Sequence, residues 1–195
     1  IPLRLVGSEM CIRDRLNSGT EANKGHFDLV ELEKSFKINI ITQNIDDLHE
    51  KAGSSSIIHM HGELNKVRCI MNDNHVFDWF EDLNDVHKCP ECGSQMRPHI
   101  VWFGEMPLQM DEIHDLAEQS ALFVSIGTSG EVYPAAGFVT MFKDMRKPTV
   151  ELNLEPSRNQ DQFDHAIHKP ATVAVEEFTK FCLLYTSPSP RDVEE

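Results

Sequence analysis

No run of 18 or more apolar residues occurs in the 195-residue chain, so the sequence offers no transmembrane helix. Positive charge is scarce: 18 Lys and Arg stand against 32 Asp and Glu, a formal net charge of −14. Nucleic-acid binders carry a basic footprint, and none is visible here. There is no internal repeat and no low-complexity stretch. The fingerprint G-x-G-x-x-G and the Walker loop are both missing, as is a paired substrate domain, which argues against a dehydrogenase-type NAD domain. No signal-peptide pattern stands at the start, although the true N-terminus is expected to be missing.

Cysteine is also sparse, and two of the five sit in unusual company. One legal codon choice for residues 182–192, CLLYTSPSPRD, has a reverse complement that translates, in a shifted frame, to residues 5–14, LVGSEMCIRD. Both ends, 1–15 and 182–195, are therefore read as adapter-like scars, which sets Cys11 and Cys182 aside. Cys69, Cys89 and Cys92 remain, and a single C-x-x-C points to a reduced compartment, the cytoplasm, and to a metal more than to disulfides.

What is present suits one domain with a small insertion. Hydrophobic residues make up 40%, enough for a core. An acidic surface serves solubility and also favours basic, lysine-rich partners by steering. Residues 26–36 place Leu29, Leu32 and Phe36 near one helical face. Strand-like runs follow at 37–42 and 57–60. From 63 to 98 the texture turns polar and Asn/Asp-rich around the three cysteines, as expected of an inserted module. A core pattern resumes at 100–103. Then come helices at 111–120 and 134–145 and strands at 121–126, 149–154 and 172–175. This alternation implies an α/β, Rossmann-like doubly wound parallel sheet in segments 16–62 and 99–181, with the 63–98 module inserted. In such sheets ligands gather at the carboxyl ends of strands.

The suggestive residues lie at those ends. Gln43, Asn44 and Asp46 can bind an amide or a ribose; alternatively Asp46 or Asp47 caps the next helix. His61 follows a strand and precedes Gly62, and histidine can move protons near neutral pH. His59 competes with it from the same strand face. Gly127, Thr128 and Ser129 end a strand in a turn able to cradle phosphate, or simply a strand-to-helix turn. Asn153 and Glu155 end another, where adenosine ribose is often read, with a proline-initiated turn as the plainer account. Cys89 and Cys92 have the spacing for one metal, and Cys69 supplies a third thiolate. Asn72 stands where a fourth cysteine would be, His75 or His87 can fill the gap, and a knuckle holding no metal stays open.

Together these motifs resemble the sirtuins, NAD-dependent protein lysine deacylases, and look most like the bacterial and mitochondrial branch. The matching stretches are TQNIDDLHEKAG (42–53), HMHGEL (59–64), Cys69 with Cys89-x-x-Cys92, RPHIVWFGEMP (97–107), GTSGEVYPAAGF (127–138) and LNLEPS (152–157). The resemblance implies NAD as cofactor, structural zinc on Cys69, Cys89 and Cys92, and acyl-lysine proteins or peptides as partners. It makes His61 the general base, with Asn44 and Asp46 also catalytic and Gln43 beside the nicotinamide ribose. Gly127, Thr128 and Ser129 would meet phosphate and ribose, Asn153 and Glu155 the adenosine side, and Ala171 the adenine. Val101, Trp102, Phe103, Gly104 and Glu105 would take the peptide by strand addition. The family's first strand and its G-A-G-x-S loop have no counterpart in these 195 residues. The expectation is thus a deacylase (acetyl, or succinyl and malonyl) in the parent protein and no turnover from this chain. The alternative is a non-catalytic protein that binds partners through its metal module and peptide groove.

Overall fold

The computed structural model describes residues 19–186, so the adapter-like stretch 1–15 and residues 187–195 lie outside the described residues. The described chain falls into two compact units. The first includes residues 41–47 and 59–108; the second includes 22–40, 48–58 and 109 onward. The strand pair β1 (Ile40–Thr42) and β2 (Ile57–His59) lies where the chain passes from one unit to the other.

In the first unit, β3 (Gly62–Cys69) is the central strand of an antiparallel sheet, between β4 (Val76–Asp78) and β5 (Met96–Ile100). The 63–98 stretch lies within this unit. Val67, Cys69, Cys89 and Met96 are buried together, with Phe77, Trp79 and Leu83 against them. So small a core leaves cross-linking by a metal an effective way to add stability. The register sets Cys69 opposite Met96 and Arg68 opposite Arg97, and it slips between Gly62 and Val67. At Gly62 φ is +85°, and a Cβ there would sit 2.0 Å from the His99 carbonyl oxygen. Only glycine allows that backbone angle and that approach.

The second unit contains helix α1 (Lys24–Glu33), α2 (Leu48–Ala52) and α3 (Met110–Gln119). Its parallel sheet runs β6 (Phe123–Ile126), β7 (Thr149–Asn153), β8 (His165–His168) in that order. A 3-10 turn (Ala135–Gly137) leads into α4 (Phe138–Asp144), and α5 (Ala171–Thr186) closes the described chain. Asn23 starts α1 with a capping box, its side chain accepting from Gly25 N at 2.9 Å. The core joins Val150 and Leu152 of β7 to Ala174 and Val175 of α5, with Leu29, Val124, Ile126, Ile167 and Phe178 around them.

The α/β class and the parallel strands match expectation. Two elements differ. Residues 172–175 are not a strand but the first turns of α5, where Ala174, Val175 and Thr179 are buried at helical spacing. Four residues are too short a window for local β preference to outweigh a buried helical face. The strand actually present, β8, reads HAIH and is mostly exposed, so it carries no apolar run to notice.

Candidate functional site

In the first unit, residues 43–46 leave β1 and are held against the start of β3. Met60 N donates to Thr42 O at 3.1 Å, and Leu64 N donates to Ile45 O at 2.9 Å. The Thr42 hydroxyl accepts from Asn44 N at 3.1 Å, which turns the exposed Asn44 outward at the strand end. The two competing histidines then separate. His59 is buried, 7% exposed, with Nδ1 3.4 Å from Asn44 O. His61 is half-buried, with Nδ1 3.0 Å from Gln43 O. A carbonyl only accepts, so His61 Nδ1 carries the hydrogen and Nε2 keeps its lone pair. A backbone contact thus sets the tautomer that a base requires. Gln43 contributes this carbonyl as well as its side chain, and Asp46 follows on the same short segment.

Residues 101–108 are tied at both ends to the same place. Val101 N donates to His61 O, and Leu108 N donates to Met60 O, both at 2.9 Å. β5 ends at Ile100, so residues 101–105 form a turn rather than a strand. Glu105 N donates to Trp102 O at 2.9 Å, Gly104 takes φ +89°, and Phe103 is fully exposed. The Glu105 carboxylate faces Arg97: Nη1 lies 2.6 Å from Oε1 and Nη2 lies 2.9 Å from Oε2. Trp102 N donates to Oε2 at 3.0 Å, and Arg68 Nη2 stands 3.4 Å from it. The Arg97 fork holds the Glu105 carboxyl down to about 2, against the opposing effect of burial. The same guanidinium lies 3.8 Å from the centre of the Trp102 ring.

Cys69, Cys89 and Cys92 come together with a fourth donor, His75, and the four ligand atoms lie within 4.8 Å of one another. The Cys69 and Cys92 sulfurs are 3.5 Å apart, and Cys89 Sγ is 3.4 Å from His75 Nδ1. Two sulfurs on one tetrahedral zinc lie roughly 3.8 Å apart, so three thiols and an imidazole in this cluster fit that ion. The Asn72 amide nitrogen lies 2.9 Å from His75 Nε2, on the side of the ring away from the sulfurs. His87, the other candidate, is elsewhere, edge-on to Trp79 at 4.8 Å. Hydrogen bonds from Ser94, side chain and backbone, bring the Cys92 thiol down to about 6, whereas burial pushes the Cys89 thiol up.

In the second unit the remaining candidates stand beyond the carboxyl ends of β6 and β7 and at the start of α5. Gly127 N donates to Leu152 O at 2.9 Å, with φ +63° at Gly127. Asn153 Nδ2 donates to Thr128 O at 2.6 Å, joining the two strand ends. The Thr128 hydroxyl accepts from Gly130 N at 3.2 Å, and Ser129 O accepts from Arg158 N at 3.1 Å. Asn153 therefore shapes the turn. Glu155 is exposed just past β7, and Ala171 is exposed at the first residue of α5. A crevice at parallel strand ends is where α/β sheets bind nucleotides.

Sequence reasoning passed over several residues. Glu151 is 1% exposed, with His168 Nε2 2.9 Å away and the Ser157 hydroxyl also bonded to it. Arg68 and Arg97 drew no attention either. Alternation along β3 and β5 puts both arginines on the face opposite Val67, Cys69 and Met96, where a charge reads as solvent-facing, so no local signal marked them.

The Sir2 family model matches residues 8–134. A protein of Leishmania major called NAD-dependent protein deacylase SIR2rp3 is 49% identical over 170 residues, 84% of this chain and 70% of that protein. The NAD-dependent protein deacylase of Pasteurella multocida is 51% identical over 157 residues, covering 78% of this chain and 67% of its own length. The deacylase of Escherichia coli K12 is 47% identical over 82% of this chain, which spans 58% of it. A crystal structure of a Sir2 homologue–NAD complex superposes with a TM-score of 0.74 at 33% identity, over 86% of this chain and 67% of that one. A Sir2 bound to an acetylated peptide superposes at 0.73 and 28% identity, over 84% and 72%.

Proposed function

This chain belongs to the Sir2 family, and on that premise we propose that it is the larger part of an NAD-dependent protein deacylase. NAD, when bound, supplies the ADP-ribose that accepts the acyl group of a substrate lysine as nicotinamide departs. The observation that carries the reading is His61, half-buried, with Nδ1 committed to Gln43 O and Nε2 left basic. From there it takes the ribose proton as general base. Asn44 and Asp46 hold the reacting ribose beside it, and Gln43 completes that wall. Gly127, Thr128 and Ser129 receive phosphate and ribose; Asn153, Glu155 and Ala171 face the adenosine. Residues 101–105 receive the backbone of the acyl-lysine peptide, as a Sir2 relative receives an acetylated peptide. Cys69, His75, Cys89 and Cys92 hold a structural zinc that cross-links the small core and takes no part in the chemistry.

The 195 residues contain no G-A-G-x-S loop, so this chain by itself binds NAD weakly and turns over no peptide. The assay is deacylation of an acetyl-lysine peptide with NAD, on this chain and on the same chain carrying the upstream part of a close relative. The extended protein is expected to be active and to lose activity by about a hundredfold or more with His61→Ala. Full activity of that variant would reject His61 as the base. Robust, His61-dependent turnover by the chain alone would reject its inactivity.

A further inference from the structure

Glu105 lies in the segment assigned above to the peptide, yet its carboxylate does not face outward. An ionised carboxylate offers about four acceptor positions. Here Arg97 Nη1 and Nη2, Trp102 N and Arg68 Nη2 fill four, at 2.6, 2.9, 3.0 and 3.4 Å. Three of these donors meet Oε2 and one meets Oε1, so most of the carboxylate is committed to the protein itself. The two guanidiniums come from register partners on the paired strands β3 and β5, so they stand side by side on the sheet. Arg68 is 8% exposed and Arg97 is partly buried, and two adjacent cations so placed call for an anion between them. Arg97 Nη2 also donates to Ile100 O at 2.9 Å, and its plane rests on Trp102. One carboxylate thus joins both ends of the turn to the sheet beneath it.

The turn has other ties as well. Its internal bond is Glu105 N to Trp102 O, its anchor is Val101 N to His61 O, and Gly104 adds freedom with φ +89°. We infer that Glu105 is a positioning residue: clamped by Arg97 and Arg68, it sets the shape of residues 101–105 that the acyl-lysine peptide binds against. The inference rests on the peptide reading above and adds to it what holds the receiving loop in form. It also ties that loop to the metal module, because Arg68 precedes the cluster residue Cys69 on the same strand.

The test is binding rather than turnover, on the whole chain. The chain has two tryptophans, so Trp79→Phe leaves Trp102 as the sole emitter. In that background Glu105→Gln and Arg97→Lys are compared, singly and together, with a fluorescein-labelled acetyl-lysine peptide followed by anisotropy. Each single change is expected to alter Trp102 emission, as the guanidinium leaves the ring, and to weaken peptide binding by about tenfold. Arg97→Lys keeps the charge and loses the fork, so its weakening shows that geometry matters. The double variant is expected to be no weaker than the weaker single. Circular dichroism melts select a temperature at which all are folded. Altered Trp102 emission with unchanged peptide affinity would overturn the positioning role while leaving the peptide site standing. No peptide binding by the Trp79→Phe chain itself would overturn the peptide reading, and the inference with it.

Discussion

Single atoms decide the chemistry proposed for this chain. His61 differs from His59 by being half-buried rather than buried and by the carbonyl its Nδ1 meets, Gln43 rather than Asn44. Spacing alone left these two equal, because strand alternation puts them on one face. His75 is a similar case. A cysteine three residues after Cys69 was the natural place to look, and Asn72 stands there. The loop to β4 instead returns His75 to the three sulfurs, with Asn72 beside it. Changing His75→Ala is expected to lower bound zinc well below one per chain, read by elemental analysis of purified protein, with His87→Ala at full occupancy. Unaltered zinc content in the His75→Ala protein would remove it from the ligand set. Cys69, Cys89 and Cys92 could be picked out beforehand because thiolate spacing is a local property, whereas the fourth donor arrives through a turn.

At the scale of elements, the antiparallel pair β3–β5 organises the metal cluster and the Glu105 grip. It places Cys69, Arg68 and Gly62 on one strand, opposite Met96, Arg97 and Ile100. Gly62 lets the two strands meet beside His61, where a Cβ would clash with the His99 carbonyl. Gly62→Ala should destabilise the protein by about 2–4 kcal/mol, from the positive φ and the overlap together. Urea unfolding measures it, and a midpoint equal to the parent's would refute the strain. β6 was legible because its FVSI is a mostly apolar run of the kind buried parallel strands carry. β8 was not, because its HAIH presents few buried side chains, and residues 172–175 misled because β-branched residues also fit a helix face packed on β7.

For the molecule as a whole, the formal charge of −14 is the dominant long-range property. Acidic proteins draw cationic partners, and salt screens that attraction. Association with a lysine-rich acetylated peptide is expected to slow by about fivefold between low and high salt, by stopped-flow anisotropy, while a neutral peptide changes little. Equal salt dependence for both would discard steering. Among the described residues, no helix is long and apolar enough to cross a membrane. The linear order of motifs by itself determined the family, the α/β class, the cofactor and most candidate side chains, because each motif is a short segment whose chemistry depends on near neighbours. The tertiary structure decided that His61 is left more accessible than His59, that His75 joins the cysteines, and that the Glu105 carboxylate meets two arginines. Those outcomes depend on contacts between segments far apart in sequence, such as Arg68 with Glu105, which only the register of a folded sheet brings within bonding distance.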